Sequence, residues 1–340
     1  MTITRRDFLK LSGAGLLALA LSDLRLEEAR ALEAATAFQG RATFSGVEIY
    51  TAPSFDSPKA TTKLNKDEVI DVLALTIGEG LHNRVWYRFE RGYTYSGWIQ
   101  PVRTQAQTPV ATLPHKNVLG EITVPFAETR RDPHIKAKRG YRMYYGSTFW
   151  VSDLHLNPDD GLTWYEVYDK IYENTVHVNA TDMRLIPDDE LAPLSPGVPA
   201  DQKRIHVDLR TQYVTAFEGE RMVYRSRCSS GAGPKTPLGD FLTYHKGPSI
   251  HMTNEGDDET NFYDLAGVPW CTFFNGVGMA FHGTYWHNDY GKPRSHGCVN
   301  LPNAAAKFIY RWTSPSVPVD VEYIHQPGVG TAVTIVKSEI

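Results

Sequence analysis

Two stretches of this chain begin alike, and both read as β-structure. "VWYRFERGYTYSGWIQPVR" (85–103) and "TWYEVYDKIYENTVHVNATDMRLIP" (163–187) each open Trp-Tyr-x-apolar and each end in a basic residue near an apolar one. Ahead of the first lie "GVEIYTAPS" and the mostly apolar run "DEVIDVLAL". Short runs of this kind, broken by Gly and Pro, predict strands that close into small barrels. The repeat predicts two related modules in tandem, 41–104 and 113–187. One larger, irregular β domain is the competing expectation.

The two modules resemble bacterial SH3-like domains, the first more clearly than the second. A proline-rich linker, 188–202, follows them and reads as an extended connection. From 203 the strand pattern resumes in "IHVDLRTQYVTAFE" and "MVYRSRC", joined at the turn Glu218-Gly219-Glu220. "NAAAKFIYRW" (303–312) has helix formers and no Gly or Pro, with Pro302 just before it. "GTAVTIV" returns to strand. The fold class expected is mainly β: two small barrel modules, then a mostly β domain over 203–338 with at least one helix.

At the N-terminus, Arg5-Arg6 precede an apolar run, Leu11 to Leu21, and small residues follow at Ala29-Arg30-Ala31 and Ala35-Thr36-Ala37. That order has the form of a twin-arginine signal peptide over residues 1–37. The run is too short for a comfortable membrane span of about twenty apolar residues. It implies export to the cell envelope, periplasm or wall, with a membrane tether if the signal is not cleaved. The formal net charge is −4, from 35 basic and 39 acidic residues, and no long basic run argues for nucleic acid as a partner. The 18 Tyr and 7 Trp suit β-rich domains and surfaces that bind sugars or peptides.

Only three cysteines occur: Cys228, Cys271 and Cys298. In an exported protein an odd count leaves at least one thiol unpaired. A Cys228–Cys271 disulfide, leaving Cys298 free, is one expectation. Cys298 lies in "FHGTYWHNDYGKPRSHGCVNL" (281–301), with three histidines. A free thiol is mostly protonated at neutral pH, so a nucleophilic cysteine needs a base or a positive field. His282 could reach it as base. A helix starting near Pro302 could supply the field. The Gly297 and Cys298 amides could face a developing oxyanion.

These residues resemble the active-site signature of the L,D-transpeptidases, whose catalytic domain is also called YkuD-like. The signature is an upstream His, a loop, then Ser/Thr-His-Gly-Cys-apolar-Asn, met here by His282, Ser295, His296, Gly297, Cys298, Val299 and Asn300. "TPLGDF" (236–241) matches a second family segment, and the strands after 203 resemble the family's opening hairpin. The resemblance implies that Cys298 attacks a peptidoglycan tetrapeptide stem, releases D-alanine, and passes the acyl group from a thioester to an amine, giving 3→3 cross-links. His282 is implied as base and later acid, its ring oriented by the Gly283 carbonyl. Carbapenem-type inhibitors are implied as traps for Cys298. His296, Ser295 and Gly297 complete the implied catalytic set. Tyr285, Arg294, Asn300 and Thr236 are candidates for substrate binding. Each has a plainer reading: Ser295 as a turn cap, Asn300 as the cap of the next helix, His296 as a shaper of the pocket, Arg294 as a solvated charge.

No cofactor is expected, and the chain is expected to act as a monomer. A zinc site from His282, His287, His296 and Cys298 has suitable ligand types, but there is no HExxH and no second Cys at short spacing. A non-catalytic wall-binding protein would also carry the two N-terminal modules, but the intact His and Ser-His-Gly-Cys set speaks against it. A hydrolase of the same fold would pass the acyl group to water. The acceptor site is a matter of shape, so sequence does not separate hydrolase from transferase.

Overall fold

The computed structural model describes residues 38–80, 82–233, 235–254 and 262–339. The twin-arginine segment lies outside the described residues. Twenty-three strands and one α-helix make the described chain mostly β, as expected.

The first module uses β1 (Phe38–Ala42), β2 (Val69–Val72), β3 (Ala74–Ile77), β4 (Val85–Phe89), β5 (Gly92–Tyr95) and β6 (Ile99–Val102). They form two three-stranded sheets, β2-β1-β6 and β3-β4-β5. In "VWYRF" Val85, Tyr87 and Phe89 enter one core cluster and Trp86 a second one, and only Arg88 is left out. The β4–β5 hairpin turns at Gly92, where φ is +133° and a Cβ would meet the Tyr50 carbonyl at 2.5 Å. Only glycine fits there. One buried cation crosses this core. Arg41 is held by Asp67 at 2.5 Å and by Gln100 at 2.7 Å. An ion so desolvated needs that full set of partners.

The second module is a single seven-stranded antiparallel sheet. Its strands are β7 (Val118–Ile122), β8 (Phe126–Arg130), β9 (Arg139–Tyr144), β10 (Thr148–Leu156), β11 (Thr163–Asp169), β12 (Asn174–Asn179) and β13 (Met183–Leu185). Their order is β13-β7-β10-β11-β12-β8-β9.

The third domain stacks two five-stranded sheets. One is β16-β15-β14-β23-β17, built from β14 (Lys203–Asp208), β15 (Tyr213–Glu218), β16 (Arg221–Arg227), β17 (Gly239–Leu242) and β23 (Ala332–Val336). The other is β21-β20-β19-β18-β22, from β18 (His245–Thr253), β19 (Asp264–Asn275), β20 (Met279–Gly283), β21 (Val299–Leu301) and β22 (Ile324–His325). Between them Ile205, Val207, Phe281, Val299, Leu301, Ile309, Val333 and Ile335 form one apolar core. The helix α1 (Asn303–Trp312) buries Ala305, Ala306, Ile309, Tyr310 and Trp312. That spacing is one face of a 3.6-residue period. Pro302 stands as its N-cap, so Asn300 is not the cap but a strand residue of β21.

Candidate active site

The site grows from the parallel pairing of β20 with β21, where Phe281 lies opposite Val299 and His282 opposite Asn300. His282, at the end of β20, and Cys298, just before β21, are thereby brought to the same edge of the sheet. Both line one cavity of about 380 Å³ with Arg294, Ser295, His296 and Asn300. His282 is buried, and its Nδ1 meets the Gly283 carbonyl at 2.9 Å. A carbonyl only accepts, so Nδ1 carries the proton and Nε2 keeps its lone pair. Burial holds the His282 pKa down to about 4. The ring is neutral at pH 7.

Cys298 is partly exposed, but burial of its surroundings pushes its thiol up, against a smaller opposite effect of a bond from the Ala280 backbone. Cys228 and Cys271 are fully buried, and all three cysteines are free thiols, so the expected Cys228–Cys271 disulfide does not form. In sequence β21 and Pro302 separate Cys298 from α1, and burial is the leading influence on its thiol.

The turn before Cys298 is built by short bonds. Ser295 Oγ donates to the Cys298 carbonyl at 2.5 Å and accepts from the Gly297 amide at 3.0 Å. The Gly297 N–H is therefore engaged, which corrects its expected place in an oxyanion pair; the Cys298 amide is left as the candidate donor. Gly297 has φ +145°, and a Cβ there would lie 2.9 Å from Met279 Cε. Thr236 does not line the cavity. Its hydroxyl accepts from the Gly231 amide and donates to the Gly297 carbonyl at 2.7 Å, bracing the turn from behind.

The other candidates separate in the same way. His296 is exposed at the cavity, its ring 5.2 Å from that of Tyr263. Arg294 also reaches the cavity and donates to Asp289 at 3.1 Å. Asn300 is buried, with its amide 2.9 Å from His287 Nε2. Tyr285 is not in this cavity at all. Its hydroxyl donates to the Ala266 carbonyl at 2.8 Å and its ring stacks on Tyr144 at 5.2 Å. His282, His287, His296 and Cys298 are not among the described groups whose ligand atoms converge within 4.8 Å.

Sequence reasoning missed the partner of the 284–294 loop. The first module grips it. Arg41 donates to the Tyr285 carbonyl at 2.5 Å, and Asn288 N donates to the Gly97 carbonyl at 3.2 Å. Asp289, buried, receives Tyr95 OH at 2.8 Å and faces His82 Nε2 at 2.7 Å. No local pattern in the sequence marks contacts between residues about 200 positions apart.

Residues 202–335 match the YkuD model, an L,D-transpeptidase catalytic domain. The matched stretch is similar to that class of domain and carries His282 and Cys298, while part of the cavity's lining comes from the first module. Solved structures similar to the chain include an Enterococcus faecium L,D-transpeptidase in a Cys-to-Ser mutant form, 19% identical over 40% of this chain and 50% of that one, with a TM-score of 0.32. An L,D-transpeptidase from Mycobacterium smegmatis is 18% identical over 50% of this chain and 76% of that one, at 0.33. The catalytic domain from the E. faecium enzyme acylated by ertapenem is 22% identical over 40% of this chain and 98% of that one, at 0.31. The match thus spans half the length of the first of these relatives. The search among curated proteins gave no match.

Proposed function

We propose that the protein is a cysteine-dependent L,D-transpeptidase acting on peptidoglycan stem peptides. The observation that carries this reading is the shared cavity of Cys298 and His282, with His282 fixed through Nδ1 so that Nε2 is the free base. The resting pair is neutral thiol and neutral imidazole. As Cys298 Sγ attacks the carbonyl carbon of the third stem residue, its proton passes to His282 Nε2. The C–N bond to D-alanine breaks, the departing amine takes the proton from His282, and a thioester remains. An acceptor amine then attacks, giving a proton back to His282, and Sγ leaves with it. In the transpeptidase that amine is on a second stem and the product is a 3→3 cross-link. The Cys298 amide faces the tetrahedral oxygen.

The reading includes the twin-arginine route, a place in the cell envelope, and acylation by carbapenems. Export motif, matched domain and site residues support the same setting. Mass spectrometry of disaccharide-tetrapeptide incubated with the protein tests it. Released D-alanine and a cross-linked dimer are expected with wild type and not with a folded Cys298→Ala. Disaccharide-tripeptide in place of the dimer identifies a hydrolase, and turnover retained in Cys298→Ala refutes the mechanism.

A further inference from the structure

One wall of the catalytic cavity does not come from the catalytic domain. Thr43, Phe44, Gly97 and Trp98, all in the first module, line it together with His282 and Cys298. This wall is fixed rather than draped. Thr43 N and Oγ1 both donate to the Trp98 carbonyl, at 3.1 and 2.9 Å, which ties the Phe44 segment to the Trp98 segment. The Asn288, Asp289 and Tyr285 bonds then lock both segments to the 284–294 loop.

The aromatic rings on this wall exceed what packing needs. Phe44 keeps 42% of its surface exposed and meets Trp98 edge-on at 6.2 Å. Phe55, outside the cavity lining, is 40% exposed and lies 5.8 Å from Trp98. Phe44 and Trp98 in the cavity wall are thus joined to a third partly exposed ring. Scattered exposed apolar residues need no explanation, but a contiguous aromatic strip opening from a cleft marks a recognition surface. A large flat ring offers apolar area at low entropic cost and suits ligands with one apolar face and polar edges.

We propose that Phe44, Trp98 and Phe55 form a subsite for the sugar end of the substrate. This rests on the proposed function: the reacting stem peptide is short, so what continues past the cavity rim is its attached amino-sugar disaccharide. A pyranose presents a flat C–H face and polar hydroxyl and acetamido edges, which match an aromatic strip bordered by water. The first module then acts as part of the active site, selecting stems still attached to glycan over free peptide.

The test compares two ligands, disaccharide-tetrapeptide and the free tetrapeptide, by calorimetry with Cys298→Ala and by turnover with wild type. In the Cys298→Ala background, Phe44→Ser and, separately, Trp98→Leu are expected to weaken the disaccharide ligand about tenfold while leaving the free peptide unchanged. In turnover the same changes raise KM for the disaccharide substrate and leave kcat near wild type. Leu73→Ser, at an exposed apolar position of the same module outside the cavity, is the control and changes neither. Equal losses for both ligands, or no loss for either, overturn the proposal; thermal unfolding of Trp98→Leu separates a fold defect from a binding one, and Phe44→Ser carries the result if Trp98→Leu is unstable. Failure of wild type to release D-alanine counts against the transpeptidase reading alone, because the sugar preference is still read from binding.

Discussion

Cys298 is expected to rest as a thiol and not as one half of an ion pair. Burial pushes Cys298 up and holds His282 down to about 4. An ordinary thiol, with a pKa of about 8.5, is only about 3% ionised at pH 7, and Cys298 lies above that. Moving the proton from Sγ to Nε2 in the free enzyme is uphill, because burial raises the thiol and lowers the imidazole, so the neutral pair dominates. A pre-formed pair would instead be almost fully thiolate, about thirtyfold more at pH 7. The thiolate absorbance difference between wild type and Cys298→Ser, followed from pH 4 to pH 10, reads this directly. It should be near zero at pH 7 and rise only in the alkaline range. Alkylation of Cys298 by iodoacetamide should follow the same curve. A full thiolate signal already present at pH 6 would refute the argument.

Arg41→Leu should destabilise the first module by about 3–5 kcal/mol, since Asp67 is left buried beside one partly exposed partner, Arg142; urea unfolding measures it, and acyl transfer should fall with it because the Tyr285 carbonyl loses its clamp. A carbapenem should label Cys298 alone on peptide mapping, because Cys228 and Cys271 are fully buried and burial raises both thiols; label on either one counts against the assignment. Acid should weaken the fold between pH 6.5 and about 4. The folded pKa values of His282 and His287, about 4 and about 3, lie below the unfolded value near 6.5, so the unfolded chain binds more protons across that window. Each histidine accounts for roughly 2–3 kcal/mol by pH 4.5, and urea midpoints at pH 7 and pH 4.5 should differ in that direction.

What could be read in the sequence was local. The Trp-Tyr-x-apolar opening at 85–89 and the helix formers of 303–312 are local signals, and both elements form where those signals lie. His282 and its Gly283 neighbour, or Ser295 through Cys298, make their bonds within four residues, so the motif carries its own geometry. Asn300 and Tyr285 were harder. Their side chains are committed by what the 284–294 loop and the second module bring to them, His287 and Tyr144, and nothing at short range encodes that. The second module shows the same limit: its strands are legible, but pairing them into one seven-stranded sheet depends on neighbours up to about 60 residues apart in sequence, such as β7 and β13. The aromatic wall is the extreme case. Nothing local marks Phe44 and Trp98 until the fold sets them at the cavity of a cysteine at least about 200 residues later.

The place of β23 has a consequence for the order of assembly. It lies between β14 and β17, parallel to β14, with Ile205 beside Val333 and Val207 beside Ile335. Closing that pair encloses nearly the whole catalytic domain in one loop, and such non-local contacts slow folding. During synthesis the two N-terminal modules can be complete while the catalytic sheet still lacks a central member. Until residues 332–336 emerge, β14 and β17 present open edges, the kind of surface that recruits stray strands. Cys298 and its cavity are thus assembled late, on a scaffold whose other half is already folded, and a truncation that removes β23 should yield aggregate rather than a soluble protein.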